Sequence, residues 1–174
     1  MSKASDSADD FEETLDWIEI RLEEINEQLD LMNAKLENTV GYASKNSIID
    51  SILSTSSSKM ENLQAGLKKY TDYTANLLSK IPSQYRKAAQ DGSIEITEFI
   101  GESNEETVEA INNYRDWAAK VADLTQQIEE LKTEIADLAK QKFDNISDEY
   151  DNIITLIENQ NGKLEAQVDL MEER

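Results

Sequence analysis

Oxygen-rich side chains crowd together at Asp144, Asp148, Glu149 and Asp151, a set that could ligate calcium. The turn glycine that a calcium loop needs is missing there. Phe143, Ile146, Tyr150 and Ile153 instead continue a helical spacing through the same stretch, which makes the carboxylates a solvated helix face. Carboxylate pairs for acid/base work could be drawn from the 37 Asp and Glu residues. A raised pKa, however, requires a buried pocket, and packed helical pairs enclose none. The chain contains neither Cys nor His, which removes thiolate nucleophiles, disulfides, Cys/His zinc sites and an imidazole base. The sequon Asn145-Ile146-Ser147 has meaning only with secretion. Trp17 and Trp117 stand at helical spacing and read as packing residues. No catalytic residue, cofactor site or metal site is assigned, and no enzymatic activity is expected.

Charge narrows the partners. The formal net charge is −20 over 174 residues, with 17 basic side chains and no basic stripe. Such a surface repels phosphate backbones and anionic lipid, so neither nucleic acid nor membrane is expected as a partner. The first ten residues are polar and acidic, unlike a secretory signal, and no run reaches the ~18 apolar residues of a membrane span.

The elements that carry these side chains are helices. Five Gly and one Pro give few stop signals, and apolar residues recur alternately four and three places apart, the spacing of a coiled-coil seam. The first tract is Phe11, Leu15, Ile18, Leu22, Ile25, Leu29, Met32 and Leu36. A second runs through Ile49, Leu53, Met60, Leu63, Leu67, Tyr70, Leu77 and Ile81, with Ser56 and Thr74 at seam positions between them. The third is Trp117, Val121, Leu124, Ile128, Leu131, Ile135 and Leu138, followed out of phase by Ile146, Tyr150, Ile153, Ile157 and Leu164.

The spacing predicts an all-α chain: a disordered lead over 1–8, a first coiled-coil arm over 9–81, a tip over 82–103 and a second arm over 104–174. A break or turn is possible at 41–47, around Gly41 and Asn46. Pro82 ends the first arm at Ile81. The tip holds an amphipathic piece from Tyr85 to Gln90, an Asp91-Gly92 turn and the alternation Ser93-Ile94-Glu95-Ile96. Ser103 with Glu106 reads as a capping box opening the second arm. Asn161-Gly162 is read as tolerated within the helix, at about 1 kcal/mol. The last helical tract runs to Met171-Glu172-Glu173-Arg174 without a stop signal, as an excerpt of a longer chain would.

Two architectures satisfy this pattern. The first is a long antiparallel coiled-coil hairpin. Its lower half pairs Phe11 with Met171, Ile18 with Leu164, Ile25 with Ile157, Leu29 with Ile153, Met32 with Tyr150 and Leu36 with Ile146. Its upper half pairs residues whose numbers sum to 184, such as Ile49 with Ile135 and Leu67 with Trp117, which centres the tip on Gly92. The second architecture is an elongated three-helix bundle in which the Ser-rich stretch after Gly41 begins with a true turn. In either, the seams close within one chain or between copies.

Several blocks resemble tail tape measure proteins of phages and prophages of Gram-positive bacteria. They are Asp16-Trp17-Ile18-Glu19-Ile20-Arg21-Leu22-Glu23-Glu24-Ile25, Tyr85 with the basic residues after it, the Gly-x-Ile-x-Ile element from Gly92 to Ile96, Asn113-Tyr114-Arg115-Asp116-Trp117, and the run from Gln126 to Ile146 ending in AKQKFDNI. Their order and spacing cover about 16–150. The resemblance implies an internal module of a very long helical protein that sets tail length and fills the tail tube lumen until ejection. Its partners would be tail tube and tail assembly proteins, and its location the virion after assembly in the host cytoplasm. It names no catalytic residue. The alternative is an acidic coiled-coil adaptor or chaperone that binds partner helices.

Overall fold

In the computed structural model the backbone is described for residues 2–100 and 104–173, and the side chains for 15–99 and 104–173. The chain is all-α. Three long helices, α1 (Ser2–Glu37), α2 (Tyr42–Lys80) and α5 (Glu105–Glu172), are joined through two short ones at the tip, α3 (Ser83–Gln90) and α4 (Ile96–Ile100). Helix α1 begins at Ser2 and covers the polar lead. Once a helix is nucleated by the packed seam further on, each added residue needs only one more hydrogen bond, and no Gly or Pro stops it.

Gly41 decides between the two architectures. Its φ of 98° is the one positive φ among the described residues, and it reverses the chain between α1 and α2. Helix α1 therefore folds back along α2: Asn62 Nδ2 donates to the Ile18 carbonyl at 3.2 Å and Thr55 Oγ1 approaches Met32 Sδ at 3.8 Å. Helix α2 in turn runs antiparallel to α5, and Ile81, extended before Pro82, ends it where the sequence places the stop. The expected hairpin is thus present between α2 and α5, and α1 closes it into an elongated three-helix bundle.

The lower-half pairing of α1 with the end of α5 does not form. Ile18, Ile25 and Leu29 are buried in the bundle, whereas their expected partners Leu164, Ile157 and Ile153 are exposed. A reversal at Gly41 offers α1 a neighbour across a four-residue turn, and the entropy of closing so short a loop is small beside that of one spanning the whole tip.

The register of the upper half also differs. Observed cross-contacts between α2 and α5 pair Tyr70 and Tyr73 with Trp117, Gly66 with Leu124, Asn46 with Asn145 and Asp50 with Lys142. Their numbers add to between 187 and 192 instead of 184. A shift close to one heptad in the sum keeps apolar against apolar, so directional contacts choose among the slips.

The core is a single line with three sections. Ile25, Leu29 and Ile52 form the base near Gly41, with Leu36 and Leu138 against them. Leu15, Leu63, Tyr70, Leu124, Ile128 and Leu131 form the middle, where all three long helices contribute. Ile81, Ala88, Ala89, Ile96, Ile111 and Tyr114 fill the tip. In the middle section Gly66 lets the three helices close up: a Cβ there would stand 3.4 Å from Ile18 Cγ2 and 3.7 Å from Leu124 Cδ1. A methyl fits at ordinary contact distance. Gly66→Ala should therefore raise stability by about 0.5–1 kcal/mol through helix propensity, and Gly66→Leu should lower it by about 1–3 kcal/mol through overpacking. Urea denaturation of the two variants checks both signs.

Candidate functional site: the clamped tip and the free arm

Pro82 and the Asp91-Gly92 turn break the chain into short pieces at the tip, which leaves helix C-termini whose carbonyls need donors. Two arginines supply them. Arg86 Nε donates to the Ile81 carbonyl at 2.9 Å and its Nη2 to the Ser79 carbonyl at 2.8 Å, closing the end of α2. Arg115, carried on α5 beside buried Tyr114, reaches across to the end of α3. Its Nε donates to the Ala89 carbonyl at 3.1 Å, and Nη2 lies 3.0, 2.7 and 2.9 Å from the carbonyls of Ala88, Asp91 and Ile94. A guanidinium is suited to this because its donors form a rigid planar fork and its charge meets the negative end of the helix dipole.

The turn itself is set by Asp91. Its Oδ1 accepts the Ser93 backbone N–H at 3.0 Å and the Ser93 hydroxyl at 2.7 Å, an Asx turn. These bonds, aided by Arg115, hold the Asp91 carboxyl below the ordinary carboxylate range. Tyr85 and Phe99 meet edge to face at 6.3 Å over the same turn. With Arg115 committed to four carbonyls and Asp91 to Ser93, these two charged groups hold backbone in place.

Below the tip, Trp117 packs edge-on against Tyr70 at 5.4 Å and Tyr73 at 4.9 Å, with Lys120 Nζ 4.1 Å from its ring centre. Burial, then the nearby Glu19 carboxylate, raises the Tyr70 phenol above its ordinary range. Trp17, by contrast, points outward. At the base, Asn46 and Asp50 of α2 meet Asn145 and Lys142 of α5.

Of the seam residues, Leu15, Ile18, Ile25, Leu29, Ile49, Leu63, Tyr70, Ile81, Leu124, Ile128 and Leu131 are buried. Leu22, Met32, Leu36, Leu53, Met60, Leu67, Leu77, Trp117, Val121, Ile135 and Leu138 are half-buried, and Ile146, Tyr150, Ile153, Ile157 and Leu164 are exposed. The side chain of Phe11 lies outside the described residues. So does Ser103 of the expected capping box; the residue before α5 is Asn104, which makes no side-chain cap bond. The four clustered carboxylates, Asp144 to Asp151, lie exposed along α5, and no group of three potential ligands converges among the described residues. None of the described helices is long and apolar enough to cross a membrane.

Ile52, Gly66 and the clamping roles of Arg86 and Arg115 are not visible as seam positions. Ile52 and Gly66 serve a helix with two neighbours, which needs a stripe wider than one a/d seam. Arg115 leaves no periodic signal, because its partners are backbone atoms more than 20 residues away in sequence.

No family model, curated protein or solved structure matches the chain.

Replacing Arg115 by Ala leaves the α3 carbonyls without their donor, and the expected loss is about 1–3 kcal/mol. Lys cannot reproduce the fork, so Arg115→Lys should recover only part of it; thermal melts with amide exchange at residues 91–94 measure both. The lowered carboxyl of Asp91 contributes stability that is complete above the ordinary carboxylate range and is lost as pH falls through its own lower midpoint. NMR titration should place that midpoint below the ordinary carboxylate range, and Ser93→Ala should bring it back up.

Proposed function

We propose that this chain is a structural spacer module of a phage tail tape measure protein, one whose work is done by length and packing. The observation that carries the reading is the tip. Three of the five blocks of the resemblance, at Tyr85, at Gly92–Ile96 and at Asn113–Trp117, are scattered in sequence yet meet in one place. Arg115 bonds the carbonyls of Asp91 and Ile94, Tyr114 packs with Ile96, and Tyr85 lies against the same cluster. A set of residues joined by one packing problem gives a physical reason for them to occur together in this order.

The geometry supports the same reading in a second way. Helix α5 has 68 residues and runs through Asn161-Gly162 without a break, a rod of about 100 Å at 1.5 Å per residue. Length of this kind suits a ruler, and the acidic surface suits a tube from which the protein must later leave ahead of DNA. The partners of such a module are the tail tube and tail assembly proteins, and its place is the tube lumen.

The test is genetic and geometric. The reading frame that encodes this chain should lie beside tail tube genes, and in-frame removal of the module should give phage tails shorter in electron micrographs. Tails of unaltered length, or a reading frame with no tail genes near it, would overturn the proposal.

A further inference from the structure

The sequence holds one Asp-Gly pair, Asp91-Gly92, and both residues are exposed. Such a pair can rearrange without any reagent but water. The Gly92 nitrogen, unshielded by a Cβ on its own residue, attacks Cγ of the Asp91 side chain. A C–N bond forms and one C–O bond breaks, and the hydroxyl of the protonated carboxyl leaves as water with the amide proton. Water then opens the five-membered imide at either carbonyl. Opening at Cγ restores Asp91; opening at the main-chain carbonyl leaves Gly92 joined through Cγ, an isoaspartyl link with the same atoms and one more carbon in the backbone.

Nothing around the pair blocks this by bulk, since no atom lies within 4 Å of where a Cβ on Gly92 would stand. What opposes it is torsion. Closing a nearly planar ring requires Cβ of Asp91 and the Gly92 nitrogen on the same side of the Cα–C bond, which for an L residue means ψ of about −120°, outside the main allowed regions. Asp91 ends α3 with φ −89° and ψ 102°. The Asp91-Gly92 peptide must therefore turn by about 140° before the ring can close.

That turn swings the Asp91 carbonyl, the oxygen that Arg115 Nη2 holds at 2.7 Å and that the Ile94 N–H meets at 3.2 Å. Arg115 is itself fixed by the carbonyls of Ala88, Ala89 and Ile94, so it cannot follow. Asp91 Oδ1 must also release the Ser93 backbone N–H and hydroxyl. The same Ser93 bonds keep the carboxyl ionised, which withholds the proton its leaving oxygen needs.

We propose that Asp91-Gly92 is a site of isoaspartate formation and that Arg115 is the latch that keeps it closed, by fixing the carbonyl whose rotation must precede ring closure. The clamp thereby protects its own acceptor, because an isoaspartyl link lengthens the turn and the fork can no longer meet all four carbonyls. This inference stands on the tip geometry and does not depend on the tail reading.

The test ages the full chain in buffer well below its melting temperature and follows isoaspartate at residue 91 by isoaspartyl methyltransferase labelling and fragmentation mass spectrometry. The native chain should isomerise roughly tenfold or more slowly than the same chain unfolded in guanidinium chloride, since ring closure in the fold must first break these hydrogen bonds. Arg115→Ala should move the native rate most of the way to the unfolded one. Arg115→Lys, which keeps the charge and loses the fork, should fall between and carries the test if the alanine variant does not fold. Gly66→Leu destabilises the bundle without touching the latch and should leave the rate nearly unchanged. Gly92→Ala, which meets nothing within 4 Å, should remove the signal in the Arg115→Lys background. The proposal is overturned by a native chain that isomerises as fast as the unfolded one, or by arginine variants that leave the rate unchanged. Acceleration by Gly66→Leu equal to that of the arginine variants, or a signal that survives Gly92→Ala, overturns it as well.

Discussion

The bundle depends on α2 being buried from two sides. A hairpin of two helices protects one narrow stripe on each, but α2 carries apolar or small residues on a wider arc, through Ile49, Ile52, Leu63, Gly66 and Tyr70. That arc is satisfied only when α1 and α5 both lie against it. Gly66 makes room for this: with no side chain there, α2 admits Ile18 from one neighbour and Leu124 from the other within van der Waals distance of the same point. The three core sections, base, middle and tip, are the continuation of that arrangement up and down the helix.

Apolar burial alone does not set the register, because a seam with a seven-residue repeat fits itself again after one heptad. The register is chosen by contacts that have one geometry. Asn46 with Asn145 and Asp50 with Lys142 pin the base, Tyr70 and Tyr73 against Trp117 fix the middle, and the Arg115 fork fixes the tip. A slip of a heptad would leave the leucines content and strand the guanidinium and the carbonyls it serves. The polar groups are thus few but decisive, as an unmet buried donor or acceptor weighs more than the bond it would make.

The same logic explains why α5 has two characters. Up to Asn145 its apolar stripe faces neighbours within the chain. Past that point the polar pins end and the apolar side chains stand in solvent. Helix α5 is thus packed along its first part and exposed along its last, without a break between them.

Much of this was written in the residues. The four-three alternation of Leu, Ile and Met determined that the chain is helical, Pro82 determined where α2 stops, and Asp91-Gly92 determined where the tip turns, because each acts through the backbone of its own neighbourhood. The sequence also marks the change of phase between Leu138 and Phe143. It left open whether Gly41 bends a helix or reverses it, since a glycine permits a positive φ without demanding one. It gave no sign of the Arg115 clamp, whose acceptors are carbonyls that every residue possesses. Tertiary structure decided those points, along with the partner of α1 and the exact slip between α2 and α5. A repeat of seven carries the same apolar face many times over, and only the packing of three helices at once, with the few side chains that fit one geometry, selects among the repeats.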